Sequence, residues 1–329
     1  MRNSRYNKKR VGDQNNAENE QVLGLLLRQV KRLNKVGFYR CKFKNAGINP
    51  IKISNFEDFK NIPFTTGVEF IEELTRQPGK CSLSPKNVTR INFSTLGKDL
   101  YPVYNTNKDL KIMHEICART LKDTGIRKRD TCAVAFDYRL SFGGLFYQSQ
   151  LEYYGAKVIS LDPNETERAA RIINDYKVSV LISDPAFAEK LCALGITGIR
   201  ILFVGDDPFY INSYAAKMRE LFQKKVIVID SFIMPECLPV ACSCRYEKGL
   251  HIIDDFVYAE VIDPETGKNM PHGEQGELVL THVKKEAAPL LRYRTGRIFS
   301  IKNNLCKCGR KFSLQRGMPI RADNASNIN

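Results

Sequence analysis

At 329 residues and a formal charge of +15, the chain is long enough for one large domain or two moderate ones with a sizeable core. Hydrophobic residues make up 43% and charged residues 26%, the balance of a globular protein, and no apolar run approaches the roughly 20 residues of a membrane span. The positive charge favours anionic partners but comes with no nucleic-acid motif, so neither a membrane nor nucleic acid is expected as a partner.

Residues 1–19 are polar and basic (Arg2, Arg5, Lys8, Lys9, Arg10) and are expected to form a disordered tail. No apolar stretch precedes Val22, which argues against a secretory leader and for a cytoplasmic protein. The ten cysteines are then expected to be reduced, as metal ligands or buried thiols. From Gln21 to Val36, the residues Val22, Leu25, Leu26, Val30 and Leu33 recur at helical spacing and predict an amphipathic helix. A loop-rich stretch with Pro50, Pro63 and Pro78 follows. A second helix is predicted from about Asn107 to Thr124, with Leu110, Met113, Cys117 and Leu121 on its apolar face and Gly125 at its end.

The middle of the chain alternates. Short apolar runs at Thr131–Phe136, Lys157–Leu161, Val178–Ser183, Ile199–Val204 and Val226–Ile229 are separated by helical patterns. This predicts parallel crossover units and a layered α/β core over residues 20–248. From about Gly249 the pattern turns to strand-like alternation, with Val257–Ile262, the turn Pro264-Glu265-Thr266-Gly267, and Glu277–Val283. These predict an antiparallel β subdomain over 249–324, followed by a tail at 325–329.

Two close cysteine pairs, Cys242-x-Cys244 and Cys306-x-Cys308, lie far apart in sequence, with His251 seven residues after Cys244. Thiolates with an imidazole suit a closed, structural tetrahedral Zn²⁺ site. The isolated Cys41, Cys81, Cys117, Cys132 and Cys192 read as core residues, and His114, His272 and His282 fall in no catalytic constellation.

Several segments resemble the phenylacetate–CoA ligases, members of the adenylate-forming, AMP-binding superfamily. They are Phe38-Tyr39-Arg40, Ala46-Gly47-Ile48, Ile62-Pro63-Phe64-Thr65-Thr66, Gly143-Gly144-Leu145, Tyr154-Gly155-Ala156 and Gly249-Leu250-His251. Ile262-Asp263-Pro264-Glu265-Thr266-Gly267, Gly276-Glu277-Leu278-Val279, Arg292-Tyr293-Arg294-Thr295 and Cys306-Lys307-Cys308-Gly309-Arg310 continue the series in the family's order. The resemblance covers roughly residues 36–324 and implies the N-terminal fold of these enzymes, a layered α/β structure with parallel sheets and a β subdomain. It also implies their reaction: a carboxylic acid, here expected to be aryl, is activated by ATP to an acyl-adenylate, and AMP is then exchanged for CoA. The family's small C-terminal domain would begin just after Arg321-Ala322-Asp323-Asn324, so the sequence ending at Asn329 is expected either to be truncated or to belong to a protein that lacks that domain, which a partner chain could then supply.

The resemblance also assigns residues. The phosphate loop corresponds to Asn92-Phe93-Ser94-Thr95-Leu96-Gly97-Lys98-Asp99, where Thr95, Gly97 and the catalytic candidate Lys98 keep the family's residues. Phe93, Ser94 and Leu96 replace Ser, Gly and Thr there, adding bulk and removing hydroxyls. The adenine-side loop corresponds to Gly205-Asp206-Asp207-Pro208. Asp230-Ser231-Phe232-Ile233-Met234-Pro235-Glu236 aligns with Asp-x-Tyr-Gly-x-Ser-Glu, so that Asp230 belongs to the nucleotide site, Phe232 would face adenine and Glu236 would hold Mg²⁺. Arg294 would sit near the ribose–phosphate. Arg297 occupies the place of the acid that holds the ribose hydroxyls; a guanidinium has no acceptor, so it would pair with a phosphate or with Asp230 instead. Tyr138, Phe142, Gly143 and Gly144, with Phe187, would line the acid pocket. Cys244, His251, Cys306 and Cys308 would be the zinc ligands, with Cys242 as the alternative fourth. The sequence therefore predicts an acid-activating domain with weakened ATP binding, or a catalytically inactive relative that serves as a binding or scaffolding subunit.

Overall fold

The computed structural model describes residues 20–77, 80–96, 99–138, 142–205, 211–222, 226–246 and 249–317. The tail predicted over 1–19, Gly97, Lys98, Asp206, Asp207, Pro208 and the tail at 325–329 lie outside these residues.

The first helix, α1 (20–33), buries Leu26, Val30 and Leu33 on one side, as their spacing requires. The stretch read as loop-rich contains three short helices, α2 (Gly37–Asn45), α3 (Phe56–Lys60) and α4 (Gly67–Leu74), and a hairpin of β1 (Val88–Leu96) and β2 (Asp99–Thr106). Helices of 5–9 residues carry too few turns to show a period, and their ends are set by caps. The Asn55 side chain accepts from Asp58 N, and Thr66 with Glu69 forms a capping box. The helix α5 (Asn107–Thr124) has the predicted bounds, opened by a Thr106–Asp109 capping box and closed by Gly125 in the left-handed conformation at φ 90°.

One 11-stranded sheet carries the rest. Its parallel half runs β4 (Lys157–Ser160), β3 (Thr131–Ala135), β5 (Val180–Ser183), β6 (Ile201–Gly205) and β7 (Ile227–Met234). It continues, antiparallel, through β8 (Cys237–Cys242), β9 (Leu250–Ile252), β13 (Phe312–Arg316), β12 (Tyr293–Asn303), β11 (Gly276–His282) and β10 (Val257–Ile262). The change of direction therefore falls at the β7–β8 hairpin, some residues earlier than the alternation near Gly249 suggested.

Alternate residues of the parallel strands face opposite sides, as the two-residue period demands. Cys132, Val134, Val180, Ile182, Ile201, Phe203 and Ile229 join one core with α5 and α6 (Gly143–Tyr154). Ala133, Ala135, Leu181, Leu202, Val204 and Val228 join a second core with α7 (Thr166–Asp175), α8 (Pro185–Ala193) and Met218 of α9 (Ile211–Leu221). Helices cover both faces of the parallel half, which leaves the carboxyl ends of its strands as the open edge where such sheets bind ligands.

Of the isolated cysteines expected in the core, Cys81, Cys117 and Cys132 are buried, Cys192 is half-buried and Cys41 is exposed. Cys41 sits on α2 between the buried Tyr39 and Phe43, on the side of the helix turned to water. Among the described residues no helix is long and apolar enough to cross a membrane.

Candidate functional site

Four soft ligand atoms meet where the antiparallel half of the sheet approaches the end of α5. Cys244 follows β8, His251 is the middle residue of β9, and Cys306 and Cys308 lie on the turn joining β12 to β13. Cys306 N donates to Arg310 O (2.8 Å) and Gly309 N to Cys306 O (2.9 Å), with Gly309 at φ 93°. This tight turn brings both thiols to one side. Cys244 Sγ is 3.7 Å from Cys306 Sγ, Cys308 Sγ is 3.4 Å from His251 Nε2, and all four atoms lie within 4.8 Å of one another. A tetrahedral ion about 2.3 Å from each sulfur spaces the sulfurs roughly 3.8 Å apart, so the cluster has the size of a closed Cys₃His site. Cys242 is outside the group and its thiol donates to Ser243 O at 3.3 Å.

Burial pushes the Cys244 thiol up to about 12. Burial also opposes ionisation of Cys306, yet this thiol lies below its ordinary value because the Cys308 amide and the Cys308 and Cys244 thiols donate to it. One thiolate is thus favoured within a group that otherwise resists charge, the condition a cation relieves. The cluster is tied to α5 through Asp123, which accepts from Arg310 Nε (3.0 Å) and Arg245 N (3.2 Å).

The second convergence lies at the carboxyl ends of β6 and β7. Gly205 ends β6 beside Ser231, between Asp230 and Phe232 of β7. Beyond them, at the turn into β8, Glu236 accepts a hydrogen bond from the hydroxyl of Tyr101 on β2 (2.7 Å). Burial raises the Glu236 carboxyl above its ordinary value, opposed by the bond from Tyr101, the positive charge of Arg297 and a bond from Tyr293. A small cavity at this turn is lined by Tyr101, Pro235, Glu236 and Lys285. Thr95 is exposed on β1, opposite Leu100 in the hairpin, while Ser94 stands opposite Tyr101.

Other assigned residues have partners of their own. Asp230 is buried and held through both carboxylate oxygens by Arg316, at 2.8 and 3.1 Å. Burial raises its carboxyl and Arg316 counters the shift. The pairing of Asp230 with Arg297 is therefore replaced by one with Arg316 of β13, a strand that lies between β12, which carries Arg297, and β7 in the sheet. Phe232 is 7% exposed and packs on Phe299 (centroids 4.9 Å), so little of its ring is free to face an adenine. Arg294 pairs with Glu277 and donates to Pro264 O (2.8 Å). Arg297 is exposed and makes no ion pair among the described residues.

Of the residues expected to line an acid pocket, Tyr138, Phe142, Gly143 and Gly144 gather at the start of α6. A Cβ on Gly144 would stand 2.8 Å from the Tyr138 ring, so only glycine allows this approach. Phe187 is not with them. It is buried in the core under α8, on the opposite face of the sheet from Tyr138 and Phe142, because its strand-to-helix segment faces the other layer. The residues that sequence reasoning passed over are Tyr101, Tyr293 and Arg316. Tyr101 and Glu236 are 135 positions apart, and the inward alternation of Tyr101 and Val103 on β2 was the one available signal.

No family model matches the chain. The phenylacetate–CoA ligase of Thermus thermophilus is 30% identical over 309 residues, covering 88% of this chain and 68% of that enzyme. The phenylacetate–CoA ligase of Escherichia coli K12 is 29% identical over 277 residues, covering 79% of this chain and 61% of that enzyme. The chain thus spans 61–68% of these relatives' length. Among solved structures, a 2-hydroxyisobutyryl-CoA ligase in an open conformation, in complex with 2-HIB-AMP and CoA, superposes with a TM-score of 0.84 at 21% identity. That match covers 93% of this chain and 75% of the other. A long-chain-fatty-acid-CoA ligase of Archaeoglobus fulgidus superposes with a TM-score of 0.53 at 16% identity, covering 71% and 52%. Fold and sequence agree that the chain belongs to the phenylacetate–CoA ligase family of adenylate-forming enzymes.

Proposed function

We propose that the chain is the acid- and nucleotide-binding part of a phenylacetate–CoA ligase-like enzyme, activating a carboxylic acid as its acyl-adenylate with weakened affinity for ATP. The observation that carries this reading is the meeting of three sequence-distant family segments at one point: the β1–β2 hairpin through Tyr101, the β7–β8 turn through Glu236, and the start of β12 through Tyr293 and Arg297. In this reading Thr95 and Lys98 contact phosphate, Gly205 and the loop after it border the adenine, and Tyr138, Phe142, Gly143 and Gly144 receive an aryl acid. CoA thioester formation is completed by a small C-terminal domain, supplied by the same polypeptide or by a partner chain. Cys244, His251, Cys306 and Cys308 hold a structural Zn²⁺, as their donor set and spacing suit.

A second reading, a catalytically inactive binding subunit, is favoured by Arg297 in the place of the ribose-binding acid. Calorimetric titration with ATP, AMP, phenylacetate and CoA separates the possibilities. The proposal expects saturable, one-to-one adenine-nucleotide binding. Losing a hydrogen bond to a charged acceptor weakens binding by roughly one to two orders of magnitude, so a Kd well above that of the T. thermophilus relative is expected. Absence of any nucleotide binding by folded, metal-loaded protein contradicts the enzyme reading.

A further inference from the structure

Glu236 stands on a two-residue turn, Pro235-Glu236, between Met234 of β7 and Cys237 of β8, which face each other in the ladder. The turn sets where its backbone lies, but a half-buried glutamate still has three side-chain torsions to settle. An element 135 positions away settles them: the Tyr101 hydroxyl on β2 donates to Glu236 Oε1 at 2.7 Å, the length of a hydrogen bond to a charged oxygen. The phenol is 2% exposed, and Val103 and Asn105, the next alternate residues of β2, are buried with it. The inward face of the hairpin therefore anchors the donor.

The same hairpin carries Thr95, the phosphate candidate. Ser94 stands opposite Tyr101 and Thr95 opposite Leu100, so the residue beside Tyr101's partner is the exposed Thr95. One hydroxyl thus ties the acid-bearing turn to the strand that carries Thr95. A carboxylate offers about four acceptor sites, and the bond from Tyr101 takes one of them. The remainder fits a Mg²⁺ that arrives with ATP, since that ion keeps phosphate oxygens and waters and needs only one or two carboxylates from the protein. We propose that Tyr101 is a positioning residue of the nucleotide site, its hydroxyl holding the Glu236 carboxylate against the β1–β2 hairpin before ATP arrives. Affinity gains because the carboxylate need not be ordered on binding. The inference rests on the nucleotide-binding reading above and adds a residue that acts only through Glu236.

ATP with excess Mg²⁺ is titrated calorimetrically into the full chain and its variants. Tyr101→Phe keeps the ring and removes only the hydroxyl; it is expected to weaken binding roughly 10-fold, the low end for a lost hydrogen bond to a charged group. Glu236→Gln is expected to weaken binding at least as much. The double variant is expected to bind no more weakly than Glu236→Gln alone, because a residue that acts through Glu236 then has nothing to act on. Tyr154→Phe removes a hydroxyl that donates to Ile126 O at 2.9 Å from the last residue of α6, and is expected to bind within about twofold of wild type. A hydroxyl that serves only the fold would lower melting temperature without this pattern. Glu236→Asp keeps the charge, leaves Tyr101 intact and draws the carboxylate away from the phenol, so it is expected to bind as weakly as Tyr101→Phe. Wild-type affinity in Tyr101→Phe, Glu236→Gln or Glu236→Asp overturns the inference, and so does a Tyr101→Phe loss that persists in full beside Glu236→Gln. Each of these leaves the nucleotide-binding reading standing. No ATP binding by folded wild type overturns both.

Discussion

Three arginines within six positions have three different fates. Arg292, in a left-handed backbone conformation at φ 44°, buries its guanidinium against Glu260, bonds Ile62 O at 2.7 Å and lies 4.1 Å from the Phe64 ring centroid. It thereby fixes the Ile62–Thr66 segment onto the sheet. Arg294 is spent on Glu277, and Arg297 alone faces water. Spacing along a strand separates Arg292 from Arg297, but what each one meets depends on strands distant in sequence. His282 gives the residue scale a test. Its ring is fully buried, with Nδ1 accepting from Leu290 N at 2.9 Å, and burial, followed by the charges of Lys285 and Arg32, holds it well below its ordinary 6.5. A depressed histidine in the fold means that the unfolded chain binds the proton first, so its contribution is intact above about pH 6.5 and is lost as pH falls below it. For one proton the slope is about 1.4 kcal/mol per pH unit. Urea unfolding of wild type and His282→Gln between pH 5 and 7 is expected to show a flatter acid slope in the variant, whatever its overall stability. Equal slopes contradict the assignment.

At the scale of elements, length and caps decided what was legible. The α5 helix, with 18 residues, two capping signals and one apolar face, was readable to its ends, and β10 likewise. The short helices α2–α4 and the β1–β2 hairpin were not, because their apolar positions are too few to show a period and their order comes from packing: α4 on β12, the hairpin on α5, Phe38 of α2 on Phe70 of α4, and Phe59 of α3 on Tyr258 of β10. The cysteine cluster was readable because few side chains besides thiolates and imidazoles make a closed site, and the turn carrying Cys306 and Cys308 needs a glycine at 309. This element carries its own test. Protein purified without chelator is expected to hold about one zinc per chain, and removing it, or substituting Cys306→Ser, is expected to lower the melting temperature because site and fold form together. Metal-free protein with unchanged stability contradicts the structural role.

For the whole molecule, an 11-stranded sheet joins a parallel half, whose strand ends form its open edge, to an antiparallel half that carries the cysteine–histidine cluster and the strand with Arg294 and Arg297. The parallel α/β part and an antiparallel part after it were foreseeable from the alternation of strands and helices and from the motif order; their fusion into one sheet, turning at β7–β8 and not near Gly249, was not. The contact between Tyr101 and Glu236 was not foreseeable either, since it joins a hairpin strand to a turn 135 positions away. The central claim is that this scaffold still activates an acid. Acid-dependent exchange of labelled pyrophosphate into ATP, run on the full chain with phenylacetate and related aryl acids, with and without Mg²⁺ and at saturating ATP, measures that step directly. The account predicts exchange that requires both the acid and ATP; no acid-dependent exchange from zinc-loaded protein that demonstrably binds ATP would contradict it.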